Sequence, residues 1–522
     1  MKDSFYQKEQ IYRDPEEDLA ARKRIDNRIF YLLLAAIAFV PLIVGGHVSE
    51  VVSPLIAAQD LFSTGMKGEL FTFYKFVMLM ILTVSAVVLF LYKLFFLNYS
   101  LPKRPILWFF LIFVMAIILS TIFAPYKTIA MLGQYNRTDG ALSYMCYITL
   151  MFIAMNIDYP KKAVQYILYA FYPFVIINLV LITMSFTGND ALTYGPVEKI
   201  MTIFLPEGAS LSEGSVLLGT LNQWNYMSGM FAVMTVLFLA AAIVESSKSI
   251  KAAHFIAALL STAIMLMSIS TSGFLTVLLI TPLLVTLAWK SKNKKMALIM
   301  LAAFYLLSAP ILHMIASKNE RVWTESIGFF ISTNPYINLQ PVANNETSPN
   351  LNIFDNRVYA EDKAFSLPEL PESGVSSGSG RSYIWGKTLE IVKDRPILGY
   401  GLDTLLYHFP HNNIDSRAGL GSETVIVDKP HSMYMGVLFG MGIIGIIGLL
   451  GIAAITVWKS LQSVLHFNRT RSLTVALGIA WIAFLIQAMF NDTLPGTAAP
   501  LFTIAGVMLS LLYKENVNGR DN

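Results

Sequence analysis

One cysteine, Cys146, stands in a chain of 522 residues, and it lies inside an apolar run. An intrachain disulfide and a thiolate metal cluster are both excluded, and with them a disulfide-stapled secreted fold. Charge is scarce as well: Asp, Glu, Lys and Arg make up 14% of residues, against roughly 25% in a soluble domain. That excludes an ordinary soluble enzyme. The formal net charge of +4 is too small to imply a nucleic-acid partner. No segment repeats at a fixed period, no inverted repeat of the transporter kind is visible, and the apolar runs do not alternate as barrel strands do.

What the chain does have is apolar length: 55% of its residues are hydrophobic. About twelve runs approach the roughly 20 residues that span a bilayer as helix. They begin near Ile29, Phe76, Pro105, Ala141, Val164, Tyr226, Ala252, Gly273, Met296, Ser432, Leu473 and Ala498. The expectation is an all-α polytopic membrane protein. Residues 1–28 form a charged tail, 29–315 the first nine spans, 316–431 one large loop, 432–513 the last three spans and 514–522 a second tail. Gly45-Gly46-His47 after the first run lacks a small-x-small cleavage site, so that run reads as an anchor. Lys and Arg resist translocation and collect on the cytoplasmic side. With a cytoplasmic N-terminus, 23 of them fall inside, five in short outer loops and ten in the long loop. Both termini are then cytoplasmic, and Ala316 to Pro430 is outside.

The long loop opens with a polar stretch, Thr333 to Gly380, and regains pattern at Arg381. From there Ile384, Trp385, Leu389 and Val392 recur at helical spacing, predicting a helix with one apolar face and with Arg381 and Trp385 one turn apart. Arg381 then stands at a helix N-terminus, where free N–H groups favour an anion. Pro396-Ile-Leu-Gly399-Tyr-Gly401 supplies a tight return. The loop closes with Asp428-Lys-Pro430-His431-Ser-Met-Tyr434, running into a helix through Gly440, Gly442 and Gly445.

This string resembles the O-antigen ligase and polymerase superfamily, whose outer loop carries an Arg, a downstream Trp, a Pro-x-x-Gly-x-Gly turn and a His at the foot of the next helix. Upstream, Gly133-Gln-Tyr-Asn-Arg137-Thr-Asp-Gly140 is similar to the family's Arg-x-x-Gly loop, and Gly219-Thr-Leu-Asn222-Gln-Trp-Asn225 to its Gly-Thr-x-x-Asn-x-Asn segment. Two positions depart: Ser432 follows the loop His where many members have Asn, and Thr271-Ser272-Gly273 replaces a Ser-Arg-Gly. The resemblance implies a multispan-glycosyltransferase-like bundle in the bacterial cytoplasmic membrane. Its implied activity is transfer or polymerisation of a polyprenyl-diphosphate-linked glycan onto a hydroxyl of a glycan, lipid or protein acceptor at the outer face.

The residues permit that chemistry. A diphosphate leaving group calls for cations, and the fork-shaped guanidinium groups of Arg381 and Arg137 suit it. His431 at a helix N-terminus is expected to stay neutral and serve as base. No Asp-x-Asp or His-x-x-x-His pair offers a metal site, so neither metal nor cofactor is expected.

Plainer readings stand beside these. Arg381 could snorkel toward headgroups, Arg137 could be a solvated loop residue, and His431 could cap a backbone group. Trp385 reads first as packing, with sugar stacking as the other role, and Tyr434 near the helix start could be structural or touch sugar. Asn222 and Asn225 could cap a span or bind sugar. His408 and His411 read as surface residues, and the loop glycines 440, 442, 445 and 448 as close helix packing. The alternative function is a transporter or flippase of lipid-linked saccharide, but the centres of the expected spans lack charge, which weakens ion coupling.

Overall fold

The computed structural model describes residues 15–55, 62–206, 211, 217–221, 223–331, 333–337, 380–411, 413, 426–467 and 473–518. Asn222 and the Ser-rich part of the long loop lie outside them. Helix α1 (Pro15–Phe39) begins well ahead of Ile29, so half of the expected tail is helical. A hairpin of β1 (His47–Val51) and β2 (Gly65–Glu69) follows, with His47 opposite Glu69 and Val51 opposite Gly65. This is a departure from an all-helical chain. Next come α2 (Phe73–Phe96), α3 (Ile106–Phe123), the short α4 (Lys127–Leu132), α5 (Ala141–Met155), α6 (Ala163–Phe186) and the short α7 (Gly195–Met201). Helices α8 (Trp224–Val244), α9 (Lys248–Met267), α10 (Thr271–Lys290) and α11 (Lys294–Ala316) complete the first block, with a single turn α12 (Arg321–Thr324) after it. The loop helix α13 (Arg381–Val392) precedes α14 (Met433–Leu465), α15 (Thr474–Gln487) and α16 (Pro495–Asn518).

Among the described residues nine helices are long and apolar enough to cross a membrane: α2, α3, α6, α8 to α11, α14 and α16. Helices α5 and α15 are apolar but shorter, and α1 opens with Glu16, Glu17 and Asp18. The bundle is layered around α8 and α16, each 94% buried along its apolar window. Helix α8 packs on α9, α10 and α15, α16 on α5, and α14 on α3. Peripheral helices keep apolar side chains outward, as lipid-facing surfaces do.

Two buried lysines show how the ends are tied. Lys75, one turn into α2, donates to the carbonyls of Ile43 (2.5 Å), Phe71 (2.7 Å) and Thr220 (2.7 Å). It therefore binds the hairpin entry and the 217–221 segment to the bundle. At the opposite end Lys93 pairs with Asp26 at 2.6 Å, both buried, and also donates to Asn156 O at 3.1 Å.

Candidate active site

Helix α14 is broken at Gly442 (φ 61°, ψ −160°). A break inside a membrane protein frees backbone groups that must find partners. Here the Pro396–Gly401 turn supplies them: Tyr400 N donates to Phe439 O (3.0 Å), Gly401 N to Gly440 O (2.9 Å), and Ile443 N to Pro396 O (2.8 Å). The contact is backbone on backbone. A Cβ on Gly399 would lie 2.3 Å from Phe439 O, and one on Gly442 2.3 Å from Ile397 O. Gly399 and Gly442 are thus two halves of one docking, while Gly448 packs against Phe113 as expected of a helix-packing glycine.

That docking fixes α13 beside α14. Ile384, Thr388 and Val392 are its buried face, whereas Leu389 is exposed, because the stripe follows i, i+4, i+8 and leaves Leu389 to the side. Trp385 Nε1 donates to Pro430 O at 2.7 Å, tying the loop helix to the residue before His431. Arg381 lies half-buried in the first turn and makes no hydrogen bond or ion pair with another described residue. Burial pulls its guanidinium below the ordinary value, opposed by the charges of Asp492 and Glu325.

His431 adopts a left-handed backbone (φ 53°) just before the helix. Such strain in a non-glycine residue persists only where the surroundings impose it. The N-cap is Ser432, whose hydroxyl accepts from Met435 N at 3.5 Å. Ser432 N in turn donates to Asp492 Oδ1 at 3.1 Å, and Asp492 Oδ2 lies 3.8 Å from His431 Nδ1. That Oδ2 is buried with no hydrogen-bond partner among the described residues. Burial, then Lys429, Arg381 and Arg137, depress His431 to about 3, with Asp428 opposing, so the imidazole is neutral. Burial raises Asp492 to about 6 against the pull of Lys429 and Arg137.

Arg137 is buried and fully engaged. Its Nε and Nη2 reach Asp403 Oδ1 at 2.9 and 2.5 Å, and its Nη1 reaches Asp428 Oδ2. Burial alone would raise Asp428, but Arg137 and Lys429 hold it at about 2. Asp403 also accepts from Gln134 N at 2.6 Å. The early Gly133–Gly140 loop is thereby locked to the late loop, and Thr493 joins it by donating to Asp139 Oδ2 at 2.5 Å. Arg137, Asp139, Asp403, Asp428, Lys429 and Asp492 line a narrow cleft.

The structure therefore gathers Arg137, Arg381, Trp385 and His431 at one end of the bundle. Asn225 contributes its carbonyl, which accepts from Asn491 Nδ2 at 2.9 Å, and Tyr434 OH donates to Leu485 O at 2.8 Å. Of the histidines expected at the surface, His411 is buried, and burial lowers His408 to about 4. Ser272, where the motif's Arg is missing, accepts from Gln487 Nε2 at 3.2 Å in the first turn of α10.

Lys429 and the carboxylates Asp403, Asp428 and Asp492 are the site residues that sequence reasoning missed. For Asp492 a signal existed: it is the only charged residue between Leu473 and Tyr513.

Residues 256–450 match the family model described as O-antigen ligase. No curated protein matches the chain. The matched span contains Arg381, Trp385, the 396–401 turn, His431 and the Gly442 break, and excludes Arg137 and Asp492. That match supports membership of the O-antigen ligase and polymerase superfamily, with its weight in the helices and loop that carry Arg381 and His431.

Proposed function

We propose that the chain transfers a glycan from a polyprenyl diphosphate to the hydroxyl of a glycan, lipid or protein acceptor at the outer face of the bacterial cytoplasmic membrane. The observation that carries this reading is the convergence of cations, a neutral imidazole and a carboxylate at one end of an apolar helix bundle. The acceptor oxygen attacks the anomeric carbon as its bond to the diphosphate breaks, and the diphosphate leaves with the bonding electrons. Arg381 stabilises the charge that develops there. His431 takes the acceptor proton, and the Asp492 carboxylate, 3.8 Å from Nδ1, stabilises by charge the imidazolium that forms.

A base depressed to about 3 is weak, but the donor's negative charge offsets the cations that depress it, so basicity rises when donor is bound. Arg137 serves this site through its carboxylates, holding the segment that leads to His431; to touch phosphate it would first have to exchange Asp403 or Asp428. In this reading side chains carry the charge. A flippase would need unpaired cations along an internal path. Lys75 and Lys93, the buried cations of α2, are instead bound by carbonyls and by Asp26.

Purified protein supplied with lipid-linked donor and acceptor tests the reading. Arg381→Ala and His431→Ala should each lower transfer at least about 100-fold, the scale of losing a general base or a charge stabiliser, with the protein still inserted and abundant. Arg381→Lys should also be poor, and chelator should leave the rate unchanged. Near-normal turnover in His431→Ala, or strict dependence on magnesium or manganese, would defeat it.

A further inference from the structure

The three cations near His431 are not equivalent. Arg137 is neutralised by two carboxylates, and Arg381 stands half-buried in the first turn of α13. Lys429 is 5% exposed, yet its ammonium hydrogen-bonds only to neutral groups, and Asp428 and Asp492 act on it only through space. It donates to Tyr226 OH at 3.2 Å and to Gln223 Oε1 at 3.5 Å, and lies 5.2 Å from the Tyr226 ring centroid. No described carboxylate comes within 4.0 Å of it: Asp428 is turned to Arg137, and Asp492 contacts the Ser432 backbone. An ammonium has three N–H donors and is costly to bury without a counter-charge. One donor is left over, and the cleft it lines also receives Asp492.

We propose that Lys429 seats the leaving diphosphate of the donor beside His431, an assignment that rests on the transferase reading above. A compact ammonium suits a diphosphate as a point charge and needs no fork geometry. Tyr226 and Gln223 hold it in place until the anion arrives. Lys429 thus enters as a phosphate ligand on the same segment as the base, two residues before His431, so that one short loop segment presents both to the reacting carbon.

The test is binding of inorganic pyrophosphate and of farnesyl diphosphate to the full-length protein in lipid nanodiscs, followed by calorimetry. Wild type should bind both. Lys429→Gln should weaken both by about 10-fold or more, the scale of a hydrogen bond to a charged group, and Lys429→Arg should recover part of the loss. Lys429→Met, which keeps the packing of the stem, is the second variant and should lose binding equally. Lys387→Gln, at an exposed pair with Glu390, should bind as wild type does. If wild type binds and Lys429→Met or Lys429→Gln binds as tightly, the Lys429 assignment falls while the transferase reading stands. If wild type binds neither probe, the diphosphate reading falls with it.

Discussion

Asp492 carries a conflict between stability and function that can be measured on one residue. Its carboxyl is held at about 6 by burial, above the roughly 3.9 of an unfolded chain. A carboxyl with a raised folded-state value favours folding below the unfolded value, and that contribution is lost as pH rises through about 6. Above that point the native protein holds an ion it would rather not bury, at a cost of up to about 3 kcal/mol. Asp492→Asn should therefore raise the melting temperature at pH 7.5 and give no gain at pH 4. The same change should lower transfer, because the amide cannot stabilise a protonated His431. In the wild type, transfer should climb through about pH 6 as the carboxylate forms, and that limb should vanish in the variant. A variant that is less stable at pH 7.5, or one that keeps the limb, would show that Asp492 is not the group responsible.

At the scale of elements, the docking of the 396–401 turn into the broken α14 makes a sharper claim than glycine content does. Gly399 has φ +66° and no room for a Cβ against Phe439 O. Gly386, in the middle of α13, has nothing within 4 Å of where a Cβ would go. Gly399→Ala should destabilise by more than about 2 kcal/mol, through strain and steric conflict together. Gly386→Ala should be neutral or stabilise by about 0.5–1 kcal/mol. Thermal unfolding of both variants checks this, and equal effects would mean that the turn is not seated in the break. The turn itself was legible, since Pro and two glycines at that spacing have few other uses. The break was not: Gly442 stands among Gly440, Gly445, Gly448 and Gly451, and only the partner backbone distinguishes it. In α13 the helix and its Arg381 start were legible from periodicity. Leu389 was misplaced because an apolar residue one position off the stripe looks the same in sequence. The hairpin was missed for a related reason: its two five-residue strands are short, and their pairing is non-local. Arg137 was visible as a motif residue, but Asp403 and Asp428 are hundreds of positions away, and no local pattern joins them.

For the whole molecule, the order of apolar runs was legible because a bilayer imposes its thickness on every span, and each of the twelve expected runs coincides with a helix. The structure qualifies nine of them by length and apolarity; α5 and α15 fall short in length, and α1 carries the charges of its N-terminal half. The ends of the bundle also differ in kind. Arg137, Arg381, Lys429, His431 and Asp492 share the end that bears the hairpin, and the Lys93–Asp26 pair closes the other. In the orientation proposed from the bias of 23 basic residues against five on alternate sides of the expected spans, the first end faces outside. Cysteine labelling in intact cells tests that assignment cleanly, because the one native thiol, Cys146, is buried. Ser377→Cys, in the long loop, should react with a membrane-impermeant maleimide added from outside. Ser249→Cys, exposed in the first turn of α9, should react only after lysis. The reverse pattern would turn the site toward the cytoplasm, where donor supply and acceptor would both have to be different, and the outer-face reaction would have to be abandoned.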